Sequence, residues 1–172
     1  MPLSRETRIG APCERLRCDM DGFEAALLHN DSDVAFFSEV PLFRDVPAYE
    51  LQHIVAMTRR QRFAAGEVIL REGDTTNDLL FVGGGTVEVY VSRQDQKISI
   101  TTLGPASYFG EMSVFDDYPR SANVAAVTGV VAFRIDRDNF RAFLKTHPAA
   151  LYQMCTVFSH RLRSTNTALA KH

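Results

Sequence analysis

The residues whose types and spacing carry recognisable chemistry lie in one stretch, Tyr108 to Ala126, which reads YFGEMSVFDDYPRSANVAA. Within it Glu111 and Arg120 stand nine positions apart, 120 − 111. A guanidinium offers a charge and a fork of donors matched to two phosphate oxygens, while a carboxylate is a natural acceptor for a sugar hydroxyl. Together they suit a ribose with a phosphate close beside it. Gly110 lets the backbone bend and come close to a bound group. Glu111, Met112, Ser113 and Val114 can form one helical turn whose N–H groups point outward as an anion site. The competing reading of the pair alone is a buried Glu111–Arg120 ion pair that closes a loop.

Such a loop needs a rigid scaffold, and the rest of the chain supplies one. From Arg62 to Ile135 short alternating or β-branched runs are punctuated by glycines, the pattern of antiparallel strands and tight turns. Val87, Val89 and Val91 fall on one face of a strand. The polar residues Arg93 to Lys97 turn the chain into a second strand, Ile98 to Leu103. Ala122 to Val127 and Val130 to Ile135 read as another pair around Thr128-Gly129. Seven or eight short strands in about 75 residues is the density of a sandwich or jelly roll. The fold class is therefore mainly β with flanking α.

Helical spacing brackets this region. Residues 1–35 read as a partly irregular extension, with breakers from His29 to Asp33, and residues 36–172 as the domain. Apolar residues between Val34 and Met57, interrupted by Pro41 and Pro47, predict two short helices before the core. After Ile135, Asp136 is a good N-cap for a helix over about 136–147, and a second helix follows over about 148–170. On it Leu151, Phe158 and Thr165 recur every seven residues, as do Cys155, Leu162 and Leu169. That stripe either packs on the domain's own barrel or pairs with a second copy.

Composition narrows the function. The 172 residues carry 19 Lys and Arg against 21 Asp and Glu, a net charge of −2, so no bulk positive field draws in polyphosphate or an anionic membrane. No uncharged run approaches a membrane span, and no secretory signal opens the chain. The scattered Cys13, Cys18 and Cys155 make no disulfide framework, which fits a cytoplasmic setting. Cys13 and Cys18 lack the further ligands of a structural zinc site. A cupin-type metal centre would need histidines among the strands. His29, His53, His147, His160 and His172 all lie outside them, so no metal is expected.

Phe109-Gly110-Glu111 and Pro119-Arg120-Ser121-Ala122-Asn123-Val124-Ala125-Ala126 resemble, position by position, the phosphate-binding cassette of the cyclic nucleotide-binding domain family. This is the family of catabolite activator and cAMP-dependent kinase regulatory subunit type. The likeness extends from about Pro41 to Asn166: Phe63 to Ile69 and Arg71 to Asp74 resemble the first strands and turns, and Leu80 to Val89 the following strand pair. Two departures stand out. Ala106-Ser107 occupies the place of Gly-Asp or Gly-Glu, and Gly83 replaces an apolar strand residue.

The resemblance implies an eight-stranded antiparallel jelly-roll barrel with N-terminal helices and two C-terminal helices. It further implies a cAMP or cGMP ligand. Arg120 and the backbone at Gly110, Glu111, Met112 and Ser113 would hold the cyclic phosphate, Glu111 the ribose 2′-hydroxyl, and Ser121 a phosphate oxygen or the base. Val89, Ile100 and Thr101 would wall the base pocket. Thr165 and Asn166 of the last helix would meet the base, with Arg161 facing the cassette.

The resulting expectation is a regulatory sensor without catalysis. Ligand binding moves the last helix, and a second subunit or an effector protein not identified by the sequence reads that movement. Only six residues follow Asn166, too few for a helix-turn-helix, so DNA binding by this chain is not expected. The alternatives are a ligand-free interaction domain that keeps the fold, or the sensory part of a truncated transcription regulator.

Overall fold

The computed structural model describes residues 31–94 and 96–169, with side chains through 163. Cys13, Cys18 and the reading of residues 1–30 lie outside the described residues. Two antiparallel four-stranded sheets form the jelly roll, and the first carries the helices. Its order is β1 (Arg59–Phe63), β8 (Val130–Ile135), β3 (Leu79–Gly84), β6 (Tyr108–Phe109). The second runs β2 (Val68–Leu70), β7 (Asn123–Ala126), β4 (Val87–Arg93), β5 (Gln96–Leu103).

Side-chain alternation sorts the strands into two cores. Leu80, Val82, Phe109, Val130 and Ala132 face Ile69, Leu70, Val87, Val124 and Ala126 of the other sheet. Leu79, Phe81, Tyr108, Phe133 and Ile135 point the other way, into a second core covered by helices. Phe81 is fully buried there, its ring about 5 Å from those of Phe37 and Phe43. Truncation of such a phenylalanine to alanine costs about 3–5 kcal/mol.

The helices that complete the second core are α1 over residues 31–39, a 3₁₀ turn Pro41–Phe43, α2 (Ala48–Met57), α4 (Arg137–Thr146) and α5 (Pro148–Leu169). Between Val34 and Met57 there are thus three helical segments, where the spacing predicts two. α1 also includes Asp31 to Asp33, read as breakers in the sequence. At α4 the Asp136 side chain accepts from Asn139 N–H at 2.9 Å.

The hairpin β4–β5 is tighter than its polar residues suggest. Pairing continues to Arg93↔Gln96, and Gln94 takes φ 50°, the left-handed conformation that short hairpin turns demand. A larger correction concerns β7 and β8, which do not pair with each other. β7 pairs with β2 and β4, and β8 with β1 and β3, so Thr128-Gly129 carries the chain across from one sheet to the other. Corners of this kind bring backbones into contact. A Cβ on Gly85 would lie 2.2 Å from Gly129 O, and Thr86 N–H donates to Thr128 Oγ1 at 3.0 Å.

Both departures from the family pattern have local explanations. Ala106 takes φ 62°, so the turn into β6 keeps a left-handed residue without glycine. Gly83 sits at a register shift in β3, and a Cβ there would lie 2.6 Å from the Phe133 ring. The ring fills the space that a side chain at 83 would take.

Candidate functional site

The cassette leaves β6, bends at Gly110, makes the one-turn helix α3 (Met112–Phe115) and returns through Arg120 to β7. Gly110 has φ +81°, and a Cβ on it would stand 2.7 Å from Arg120 Nη1 and 2.9 Å from Asp78 O. Both the bend and the close approach therefore require glycine. Val114 N–H closes the turn onto Glu111 O at 3.1 Å.

Arg120 is the centre of the site, its side chain only 3% exposed. All five guanidinium protons have acceptors. Nε donates to Thr76 Oγ1 at 2.9 Å, and Nη1 donates to Gly110 O at 2.9 Å and Ser113 Oγ at 2.6 Å. Nη2 donates to Asp78 O at 2.8 Å and Asp78 Oδ1 at 3.0 Å. Its backbone is fixed as well, since Arg120 N–H donates to Asp74 O at 2.8 Å and Arg120 O accepts from Gly73 N–H at 2.9 Å. Burial pulls the guanidinium below its ordinary pKa, and Asp78 opposes that pull. Arg134 Nε approaches the other Asp78 oxygen to 2.7 Å, without the alignment of a hydrogen bond.

Glu111, also buried, does not pair with Arg120. Its Oε1 accepts from Nη1 of Arg161 on α5. Arg161 Nη2 donates to Tyr108 O at 2.9 Å, and the guanidinium lies over the Tyr108 ring at 5.4 Å. The two charges of the cassette therefore have separate counterions, Arg120 in the loop before β3 and Glu111 in the last helix. Two further contacts hold the cassette to the helices. Arg141 of α4 donates to Val114 O, and the Phe115 and Phe158 rings meet edge to face at 5.6 Å.

The structure thus brings Gly110, Glu111, Ser113, Arg120 and Arg161 together. Met112 and Ser121 lie at the rim, the Ser121 hydroxyl 3.3 Å from the Met112 sulfur. Val89 packs against the inter-sheet core opposite Thr101, and Val89 is also the register partner of Val124, four residues past Arg120. Ile100 is the extra residue of a β-bulge and is 54% exposed. Bulges of this kind re-aim side chains beside binding sites. The side chains of Thr165 and Asn166 lie outside the described residues.

Thr76 and Asp78 lie outside the stretch read from the sequence, and nothing in their spacing links them to residue 120; Tyr108 opens that stretch without a role assigned to it. The available signal was Asp78 itself, an acid abutting the fully apolar run Leu79–Val82. Among the described residues no group of three His, Cys, Asp or Glu could hold a metal ion. No described helix is long and apolar enough to cross a membrane.

The sequence model for the cyclic nucleotide-binding domain matches residues 60–147, just over half of the chain. The chain belongs to the cyclic nucleotide-binding domain family. The match spans the barrel and the cassette together, so the domain's two sheets and its charged loop are accounted for as one unit. A CRP-like cAMP-activated global transcriptional regulator of Mycobacterium tuberculosis is 32% identical over 121 residues, 68% of this chain and 54% of that protein. A cAMP-dependent protein kinase regulatory subunit of Emericella nidulans is 34% identical over 110 residues, 64% of this chain and 26% of that protein. Among solved structures, the Thermus thermophilus catabolite activator protein superposes with a TM-score of 0.69 at 27% identity, covering 76% of this chain and 62% of that one. This domain therefore spans from a quarter to about half of the curated relatives it matches.

Proposed function

We propose that this domain is a sensor of a cyclic mononucleotide, with cAMP the first candidate and cGMP the second, acting in the cytoplasm without catalysis. One observation carries the reading: a buried arginine and a buried carboxylate flank one helical turn, and the last helix grips the carboxylate through Arg161. In this reading the cyclic phosphate accepts hydrogen bonds from Arg120, and the ribose 2′-hydroxyl donates to Glu111. Named relatives that are cAMP-activated or cAMP-dependent support cAMP as the first candidate.

The same geometry supplies a transmission route. A ribose hydroxyl at Glu111 competes with Arg161 or joins it, and either changes the relative stability of α5 positions. A ligand shifts such an equilibrium only by its differential affinity for the two states, and the Glu111–Arg161 contact is where that difference arises. The stripe on α5 divides accordingly. Ala150 and Met154 are buried against the helix-side core and Val157 and Phe158 pack partly against it, whereas Leu151, Cys155 and Leu162 are exposed, Leu162 at 63%. That outer face is the candidate contact for a second copy or an effector.

A second reading, the ligand-free interaction domain, is favoured by the full set of internal acceptors around Arg120. Isothermal titration with cAMP and cGMP, in parallel on the native protein and on Arg120→Ala, separates the two. Micromolar or tighter binding that the variant loses is expected of the sensor. No heat with either nucleotide would assign the interaction role.

A further inference from the structure

Resting on the cyclic nucleotide reading, we propose that the Ser113 side chain sets the affinity of the site. Its hydroxyl takes the place on Arg120 that a phosphate oxygen would take. The Ser113 hydroxyl accepts from Arg120 Nη1 at 2.6 Å, closer than any of the other four acceptors of that guanidinium. Its own proton goes to Gly110 O at 3.0 Å, and that carbonyl already accepts from the same Nη1. Ser113 is 5% exposed and Arg120 is buried beside it, so this small ring of hydrogen bonds is shielded from water.

An anion entering the cassette meets an arginine with no proton to spare, and one internal partner must yield. The candidates differ in what they lose. Asp78 is a carboxylate that holds Nη2 through two oxygens, so its release would give up two hydrogen bonds and the counterion of a buried cation. Gly110 O and Thr76 Oγ1 are neutral, but the first is fixed in the backbone and the second serves Nε, at the stem of the guanidinium rather than at its Nη1 tip. Ser113 Oγ is neutral, sits on a rotatable bond and serves the nitrogen nearest the Gly110 turn. It is the partner that yields at least cost. Each binding event must therefore break a charge-assisted hydrogen bond that an alanine at 113 would never have formed.

The consequence has two coupled parts. Ser113→Ala leaves one Nη1 proton buried without a partner in the free protein, which lowers the stability of that state. A phosphate oxygen then restores the partner, so affinity rises. The expected gain is roughly tenfold, the range for a hydrogen bond to a charged group. At saturating nucleotide the variant and the native protein should have closely similar melting temperatures, although the free variant melts earlier.

Titration calorimetry and thermal melts of the native protein, Ser113→Ala, Ser113→Gly and Arg120→Ala, each with cAMP and cGMP, test this. Tighter binding by Ser113→Ala or Ser113→Gly, with the melting difference closing at saturation, supports the proposal. Measurable binding that is equal to or weaker than native by both Ser113 variants overturns it while leaving the cyclic nucleotide reading intact, because the nucleotide still binds without any gain from loss of the hydroxyl. If no protein binds either nucleotide, both readings fall. Binding by a Ser113 variant where the native protein shows none supports both.

Discussion

Asp78 grips Arg120 twice, through its backbone carbonyl at 2.8 Å and its carboxylate at 3.0 Å, both to the same nitrogen Nη2. Forty-two residues separate them in the chain. The contact ties the entrance of β3 to the exit of the cassette and gives the buried cation its counterion. Asp78→Ala removes only the carboxylate and leaves Arg120 near Arg134 with no negative partner at that position. A loss of about 3 kcal/mol in the free energy of unfolding is expected, since breaking one side of a buried pair costs 3–5 kcal/mol. Urea denaturation measures it, and an unchanged midpoint would refute the counterion role.

Arg161 links α5 to the cassette through Glu111 and Tyr108, with the guanidinium partly exposed. Arg161→Ala should loosen the helix without disturbing the barrel. Amide exchange over residues 155–163 should quicken several-fold, while β3 and β8 keep their protection. Equal acceleration in the strands would mean that the side chain supports the whole fold rather than the helix position.

Ala106 holds φ 62° in the turn before β6, a conformation that costs an L residue with a Cβ about 1–2 kcal/mol. Glycine removes that strain but adds freedom to the unfolded chain, roughly 0.4–1 kcal/mol. Ala106→Gly should therefore stabilise the protein by roughly 0.5–1 kcal/mol, seen as a higher denaturation midpoint.

The Tyr108 phenol is pushed up to about 12 by burial, with Arg161 pulling it down and Glu111 pushing it further up. Its hydroxyl is buried and has no hydrogen-bond partner among the described residues. A raised folded pKa means stability that is complete below the unfolded value of about 10 and is lost as pH climbs through 12. Tyr108→Phe should remove this alkaline loss. It should also match or exceed the native protein at neutral pH, because an unpartnered polar group is withdrawn from the core. Melting curves from pH 7 to 11 decide the matter, and a variant that is less stable at every pH would show that the hydroxyl has a partner.

What could be read from sequence and what could not divide along physical lines. Asp136 before a helical run and the Val87-Val89-Val91 alternation are local signals, and both specify their elements without reference to distant residues. The cassette was equally local, with Gly110, Glu111 and Arg120 inside one stretch of eleven positions. Strand partnership is not local. Val127 and Val130 flank a glycine as hairpin strands would, yet the chain crosses between sheets there because Gly85 leaves room for Gly129. Nor did the pairing of charges follow from proximity in the chain. Glu111 and Arg120 look like partners at nine positions, but each is matched by a residue more than forty positions away, Arg161 and Asp78.

Alternation into two cores sets how freely each strand can change. Along β3 from Leu79 to Val82, successive side chains enter opposite cores and none faces solvent, so a substitution at any of the four meets packed neighbours. β5 is the reverse case, exposed from Gln96 to Thr102 at one edge of its sheet among the described residues. Random mutation would therefore leave few survivors in the first strand and many in the second. The edge that borders the candidate base pocket at Ile100 and Thr101 is thus where this barrel has room to acquire a different ligand preference without loss of fold.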